Sequence, residues 1–269
     1  MSRHSLQCGG HQLELGQRTA IMGILNITPD SFSDGGRFLR KDAALSQADK
    51  IVADGADILD IGGESSRPFS EPVSAEEETR RVIPVIEHLA PKLAVPISID
   101  TTKAEVARRA VNAGAAIIND ISALRFDPAM GKVAAEYGTL LVLMHMKGDP
   151  KTMQIDPVYK DLVGEIFSFL KDSVKKAENA GVERGRIIVD PGIGFGKTAA
   201  HNLELIDRAD RFLELGLPVL LGPSRKAFIR QVLSKNADTD FSLDSPGVEA
   251  GTLAAVAAAA MKGVHIVRV

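Results

Sequence analysis

A chain of 269 residues, 45% hydrophobic and 25% charged, has the composition of an ordinary globular protein. At this size roughly 75% of the unfolded surface can be buried without covalent staples. A formal net charge of −3 argues against a general nucleic-acid binder but leaves room for a local cationic pocket. The single cysteine, Cys8, excludes an internal disulfide and any cysteine-clustered zinc site, and fits a reducing, cytoplasmic compartment.

In chain order, the N-terminal MSRHSLQCGGHQLELG has no apolar core of signal-peptide length. Its Gly9-Gly10 pair lies between alternating residues, which predicts a hairpin within residues 1–18. Short aliphatic runs follow at AIMGILN, ILDIGG, PISIDT, IINDIS, LLVLMH, IIVDPG, PVLLGPS and HIVRV. Each has the length and the Ile, Leu and Val content of a parallel strand covered on both faces. Helical patterns such as DAALSQADKIVADGA, SAEEETRRVIPVIEHLA and TKAEVARRAVNAGA lie between them, several ending in a glycine. The longest apolar run, Leu253 to Met261, is mostly alanine and far short of the about 20 residues of a membrane span. The alternation predicts a single (β/α)8 TIM barrel domain over residues 1–269. An open doubly wound sheet, the runner-up, usually has fewer strands and an early glycine fingerprint.

The strands finish on Asn26, Gly63-Glu64, Asp100, Asn119-Asp120, His145, Asp190, Ser224 and Arg268. Any one of these could simply mark a strand end. In a barrel, however, they converge on one mouth, where such enzymes place their chemistry. The first strand runs into GILNITPDSFSDGG, a polar loop longer than the usual 2–6 residues. DPGIGFGKT fits neither nucleotide pattern, because Pro191 and Lys197 stand where glycines are required. It remains a loop that lets backbone approach a ligand, or else a tight turn.

GPSRKAFI opens a helix with Ser224, Arg225 and Lys226, a composition suited to an anion, with Arg225 read as a solvated helix residue. GGESSRPFSEP is a second polar loop, either a plain surface loop or one reaching an anion through Ser65, Ser66 and Arg67. His145 has no ligand-spaced partner and reads as a hydrogen-bonded mouth histidine, and the other histidines as peripheral. Asp100 and Asp190, beside Asn119, could accept from the N–H edge of a guanine-like heterocycle, which composition cannot name.

Taken in order from about Ala20 to the last residue, these strings resemble dihydropteroate synthase. The resemblance implies a homodimeric barrel enzyme of folate biosynthesis. Such enzymes join 6-hydroxymethyl-7,8-dihydropterin diphosphate to p-aminobenzoate and release pyrophosphate with Mg²⁺ present, and sulfonamides compete for the p-aminobenzoate site. It places a pterin pocket on Asp100, Asn119, Asp190 and Lys226, lined by Met144, Phe195 and Gly222, with Arg268 stacking over the ring. Asn26, Arg67 and Arg268 fall at the diphosphate, and Asn26 at the metal. Thr28, Phe32 and Asp34 on the first loop, with Ser66 and Pro68 on the second, fall around p-aminobenzoate. Asp100, Lys226 and Asp34 are the expected catalytic residues, and the first loop is expected to act as a lid. Neither nucleic acid nor a membrane is an expected partner.

Three departures stand out: Ser66 where the family usually has threonine, Phe69 where it has glycine, and an end at Val269 where the family continues with a histidine and a last helix. The expectation is that this final helix is missing after residue 269. Three rival readings share parts of the pattern. They are a pterin-dependent methyltransferase of the same superfamily, an aldolase using Lys226 as Schiff-base nucleophile, and a non-catalytic pterin-binding paralogue.

Overall fold

The computed structural model describes residues 2–27, 37–65, 72–150, 152–235 and 241–269, with the side chains of 37–40 excepted. Strands β1 (His4–Cys8) and β2 (His11–Leu15) form an antiparallel hairpin across Gly9-Gly10, as expected. Eight parallel strands then alternate with helices. The strands are β3 (Ala20–Asn26), β4 (Ile58–Gly62), β5 (Ile97–Asp100), β6 (Ile117–Asp120), β7 (Leu140–Met144), β8 (Ile187–Asp190), β9 (Leu220–Leu221) and β10 (Ile266–Arg268).

The sheet order is β8-β7-β6-β5-β4-β3-β10-β9. A parallel bridge between Val189 and Val219 joins its two ends and closes the barrel. The expected fold class, a (β/α)8 barrel preceded by a hairpin, is the one observed. Around it lie α1 (Arg37–Ala53), α2 (Ala75–Leu89), α3 (Ala104–Asn112), α4 (Met130–Tyr137), α5 (Leu162–Asn179), α6 (Ala199–Asp207), α7 (Ala227–Ser234) and α8 (Pro246–Met261). Among the described residues no helix is long and apolar enough to cross a membrane.

Strand parity divides the core in two. Leu59, Ile61, Ile99, Ile118, Leu141, Leu143, Val189 and Val267 face outward and pack with helix residues such as Val82, Ile86, Ile166 and Leu170. Met22, Ile58, Ile117, Leu140, Ile188, Leu220 and Ile266 face inward and form a separate cluster. Leu6, Cys8, Leu13 and Leu15 of the hairpin belong to this inner cluster, so the hairpin plugs the bottom of the barrel. Leu15→Ala is therefore expected to cost about 2–5 kcal/mol, the usual range for a truncated core leucine. A lowered urea midpoint with an unchanged slope is the expected signature, and an unchanged midpoint would place the hairpin outside the core.

Three local outcomes differ from the expectations. The seventh barrel strand keeps only Leu220 and Leu221, because Pro218 and Pro223 lack N–H groups and Pro218 serves as acceptor, taking the Val189 N–H at 3.0 Å. Gly63, Glu64, His145 and Ser224 lie just past their strands rather than in them. His265, expected to be peripheral, is fully buried at the bottom of the barrel. Burial is possible because both ring nitrogens are satisfied: Nδ1 accepts from the Val219 N–H at 3.1 Å and Nε2 faces the Ser2 carbonyl at 3.1 Å. Burial lowers its pKa below the ordinary histidine value.

Candidate active site

The inward parity that fills the bottom with Ile and Leu carries polar side chains at the top. Asn26, Gly62, Asp100 and Asn119 are register neighbours across four adjacent strands, and Met144 pairs with Asp190 on the next two. Gly62 leaves room in this row: a Cβ there would sit 3.4 Å from Asn26 Oδ1. The strands thus bring together the residues that were read separately as strand ends.

Arg268 reaches in from β10 and forks between two carboxylates. Its Nε donates to Asp60 Oδ2 at 2.6 Å, and its Nη2 to Asp100 Oδ2 at 2.7 Å. Asp60 Oδ2 also accepts from Asn119 Nδ2 at 3.2 Å. Burial pushes Asp100 above the usual carboxylate range, Arg268 pulls it back, and Asp60 pushes it up again. Asp190 Oδ1 accepts the Gly192 N–H at 2.7 Å, yet burial still raises its pKa to about 6. Among the described residues no hydrogen bond reaches Asp100 Oδ1 or Asp190 Oδ2. The mouth therefore presents carboxylate acceptors in need of N–H donors.

A cation stands opposite. Lys226, the residue before α7, lies 4.0 Å from the Phe195 ring centroid, and burial lowers its pKa to about 8, with Arg268 adding to the effect. The loop Asp190–Lys197 makes this approach possible. Gly194 has φ +83°, and a Cβ on it would come 2.9 Å from Lys226 Cδ. Gly192, at φ +75°, would drive a Cβ to 1.9 Å from the His145 carbonyl oxygen. Phe195 and Met144 belong to an apolar mouth cluster with Ile121, Met146 and Met153. His145 is buried as a hydrogen-bonded histidine, its Nδ1 accepting from Lys197 Nζ at 3.0 Å. Burial and that lysine lower its pKa to about 2.

Arg225 points away, 61% exposed at its side chain and paired with Asp244 at 3.2 Å, in line with its reading as a solvated residue. Glu64 ties the described ends of the second loop together, its Oε1 accepting the Val73 N–H at 2.9 Å and its Oε2 pairing with Lys103. Lys103 also pairs with the buried Glu78 at 2.6 Å. Thr28, Phe32, Asp34, Ser66, Arg67 and Pro68 lie outside the described residues. A cavity of about 340 Å³ opens beside the second loop, lined by Pro72, Ile121, Phe126 and Pro150 among others. It shares Asp100 with the acceptor row, but Asn119, Asp190 and Lys226 are not in its lining.

Two residues of this constellation were missed by reading strand ends. Asp60 sits in the middle of β4, and its signal is a carboxylate at the inward parity of ILDIG, two residues before Gly62. Lys197 registered only as a break in a glycine pattern. It is buried, with Nζ 3.0 Å from the Phe195 carbonyl oxygen, and desolvation lowers its pKa to about 7.

Acceptors at the C-terminal mouth of a (β/α)8 barrel, facing a lysine and an arginine, define a barrel enzyme for a donor-rich ring that carries an anion. A family model for pterin binding enzymes matches residues 22–269. The dihydropteroate synthase of Bacillus subtilis is 49% identical over 255 residues, 94% of this chain and 84% of that protein. The solved structure of Xanthomonas albilineans dihydropteroate synthase with 4-aminobenzoic acid superposes with a TM-score of 0.89 at 43% identity, covering 99% of this chain and 92% of that one. Its complex with 7,8-dihydropteroate gives 0.86 at 42%, covering 98% and 92%. The chain belongs to the dihydropteroate synthase family of pterin binding enzymes.

Proposed function

We propose that this chain condenses 6-hydroxymethyl-7,8-dihydropterin diphosphate with p-aminobenzoate, giving 7,8-dihydropteroate and pyrophosphate. Similar enzymes bear the name of this activity, and one is known with the product bound. The observation that carries the reading to these residues is the acceptor set of Asp100, Asn119 and Asp190. The pterin edge offers a 2-amino group and ring N–H groups, all donors, and Asp190 and Asp100 are acceptors for them. Lys226 supplies the opposite polarity for the ring oxygen and the diphosphate. A pterin-dependent methyltransferase would share this acceptor set, and the relatives named dihydropteroate synthase favour the synthase reading over it.

In the reaction the methylene carbon–oxygen bond breaks and its electron pair leaves with the diphosphate. The amine nitrogen of p-aminobenzoate then forms the carbon–nitrogen bond and releases a proton to solvent. Positive charge develops on the methylene and the ring, and Asp100, held in place by Arg268, faces that charge as a preorganised anion. Arg268 and Lys226 flank the leaving group. No strong base is needed, because the departing diphosphate leaves an electrophilic carbon for a neutral amine.

The donor chemistry fits a magnesium ion brought in by the substrate. Asn26 offers one amide oxygen beside Gly62, and among the described residues no group of three His, Cys, Asp or Glu could hold a metal. Mg²⁺ keeps several waters and takes substrate phosphates as ligands, so one protein oxygen is enough. Asn26 would hold it, and when bound it supplies charge neutralisation to the departing diphosphate. Phe32, Asp34 and Pro68 remain assigned to the p-aminobenzoate end by resemblance. A homodimer is supported by α8, whose exposed face is apolar: Leu253, Ala254, Ala257 and Met261 lie on it. A cytoplasmic location rests on the single cysteine, Cys8, as expected of a reducing compartment.

The free enzyme should show a bell-shaped kcat/KM for the pterin diphosphate. It falls as the pH drops through about 7, where Asp100 takes up a proton, and on through about 6, where Asp190 does and loses an acceptor. It falls again above about pH 8 as Lys226 loses its charge. A flat profile from pH 5 to 9 would detach these groups from substrate binding. Pyrophosphate release with both substrates present tests the function itself. Release only when p-aminobenzoate is added is expected, and none under any condition would overturn the proposal.

A further inference from the structure

Asp60 is the most deeply placed charge of the site, with no exposed surface, and its Oδ1 is fully buried without a partner. Its register neighbour on β5, Ser98, is equally buried and its Oγ is also without a partner. Buried polar groups are expensive unless satisfied, so a carboxylate kept here calls for an explanation. Ballast for Arg268 is not one, because Asp100 already pairs with that guanidinium at 2.7 Å.

What Asp60 alone does is join Asn119 of the acceptor row to Arg268 from below. A carboxylate accepts only, so Asn119 must turn its NH₂ down toward Asp60 and carry its carbonyl oxygen elsewhere. The reversed amide would set two oxygens against each other. Asp60 also takes Nε of Arg268 while Asp100 takes Nη2, and two fixed points set the plane of the guanidinium. We propose that Asp60 is a positioning residue that makes Asn119 an acceptor toward the ligand and locks the plane of Arg268, thereby selecting a heterocycle with an N–H edge. This rests on the pterin reading of the pocket. Asp60 lies beneath the ligand and acts through Asn119 and Arg268.

Asp60→Leu is the test, because one oxygen, Oδ2, accepts from both Asn119 Nδ2 and Arg268 Nε and an asparagine oxygen could keep both bonds. Without that acceptor the Asn119 amide is free to flip and present a donor to a donor. The expected result is a KM for pterin diphosphate raised at least about tenfold, with the KM for p-aminobenzoate unchanged, and recovery toward wild type in Asp60→Asn. A merely structural loss would move both or lower kcat alone. In calorimetry with 6-hydroxymethylpterin as probe, Asp60→Leu and Asn119→Ala should each weaken binding. Their combination should fall well short of the product of the two losses, because they remove one shared orientation. Fully multiplicative losses, or unchanged binding in Asp60→Leu, would overturn the inference.

Should Asp60→Leu fail to fold, hydrogen exchange of the Asn119 side-chain amide, followed by nitrogen-15 NMR in the wild-type chain, decides. An Asn119 side-chain amide protected from solvent exchange is expected, and one exchanging at free-amide rates would overturn the inference. Wild-type pyrophosphate release, measured alongside, separates failure of this inference from failure of the function it rests on.

Discussion

Asp100→Asn should lower turnover by about 10²–10³, the usual loss on removing one preorganised electrostatic group. The substitution keeps the shape of the side chain and an oxygen for Arg268, which donates to Asp100 Oδ2 at 2.7 Å. It removes the negative charge that faces the methylene and ring as the diphosphate departs. Because burial already holds this carboxyl above the ordinary range, the native fold carries the ionised form at a cost, and neutralising it should not destabilise the chain. The check is kcat at saturating concentrations of both substrates, with the thermal midpoint measured beside it. Wild-type turnover would remove Asp100 from the mechanism.

Arg268→Ala should have the largest effect on stability of any change in the pocket. It leaves Asp60, which has no exposed surface, and Asp100 facing each other without their shared cation. Breaking a buried pair by removing one partner typically costs about 3–5 kcal/mol. The sign of the pH dependence distinguishes this cause from lost packing. Protonation relieves the uncompensated carboxylates, so the gap between variant and wild type should narrow from pH 8 to pH 5. Urea midpoints at the two pH values measure it. A deficit independent of pH would point to the missing side-chain volume instead.

The sequence was most legible where pattern and local chemistry agree. AIMGILN is the strand Ala20–Asn26 to the residue. Ser74, followed by Glu76, Glu77 and Glu78, starts α2 as read, its hydroxyl accepting the Glu77 N–H at 3.2 Å. It was least legible where both faces of a strand are buried. All five residues of ILDIG are covered, so alternation alone cannot say which side meets the barrel axis, and Asp60 passed as part of an apolar run. His265 was misplaced for a similar reason, since its burial depends on partners 46 and 263 positions away in the chain. The acceptor row was visible as strand ends, but the fork of Arg268 between β4 and β5 follows from barrel closure, which no single stretch of sequence expresses.

On the proposed function, the inward tops of the strands hold the pterin ring by accepting its N–H groups. Asp190→Asn tests it most directly, because affinity and stability should move in opposite directions. The pKa of Asp190 in the fold, about 6, lies above its ordinary value of 3.8. Its contribution to stability is therefore full below the ordinary value and lost as the pH rises through about 6. An uncharged amide avoids that loss and can keep the Gly192 N–H bond. The measurement is calorimetric titration of pterin diphosphate into wild type and Asp190→Asn at pH 7.5, with thermal midpoints of the ligand-free proteins. Affinity weakened at least about 100-fold is expected in the variant, with a midpoint equal to or above that of wild type. Undiminished affinity in a folded Asp190→Asn would contradict it.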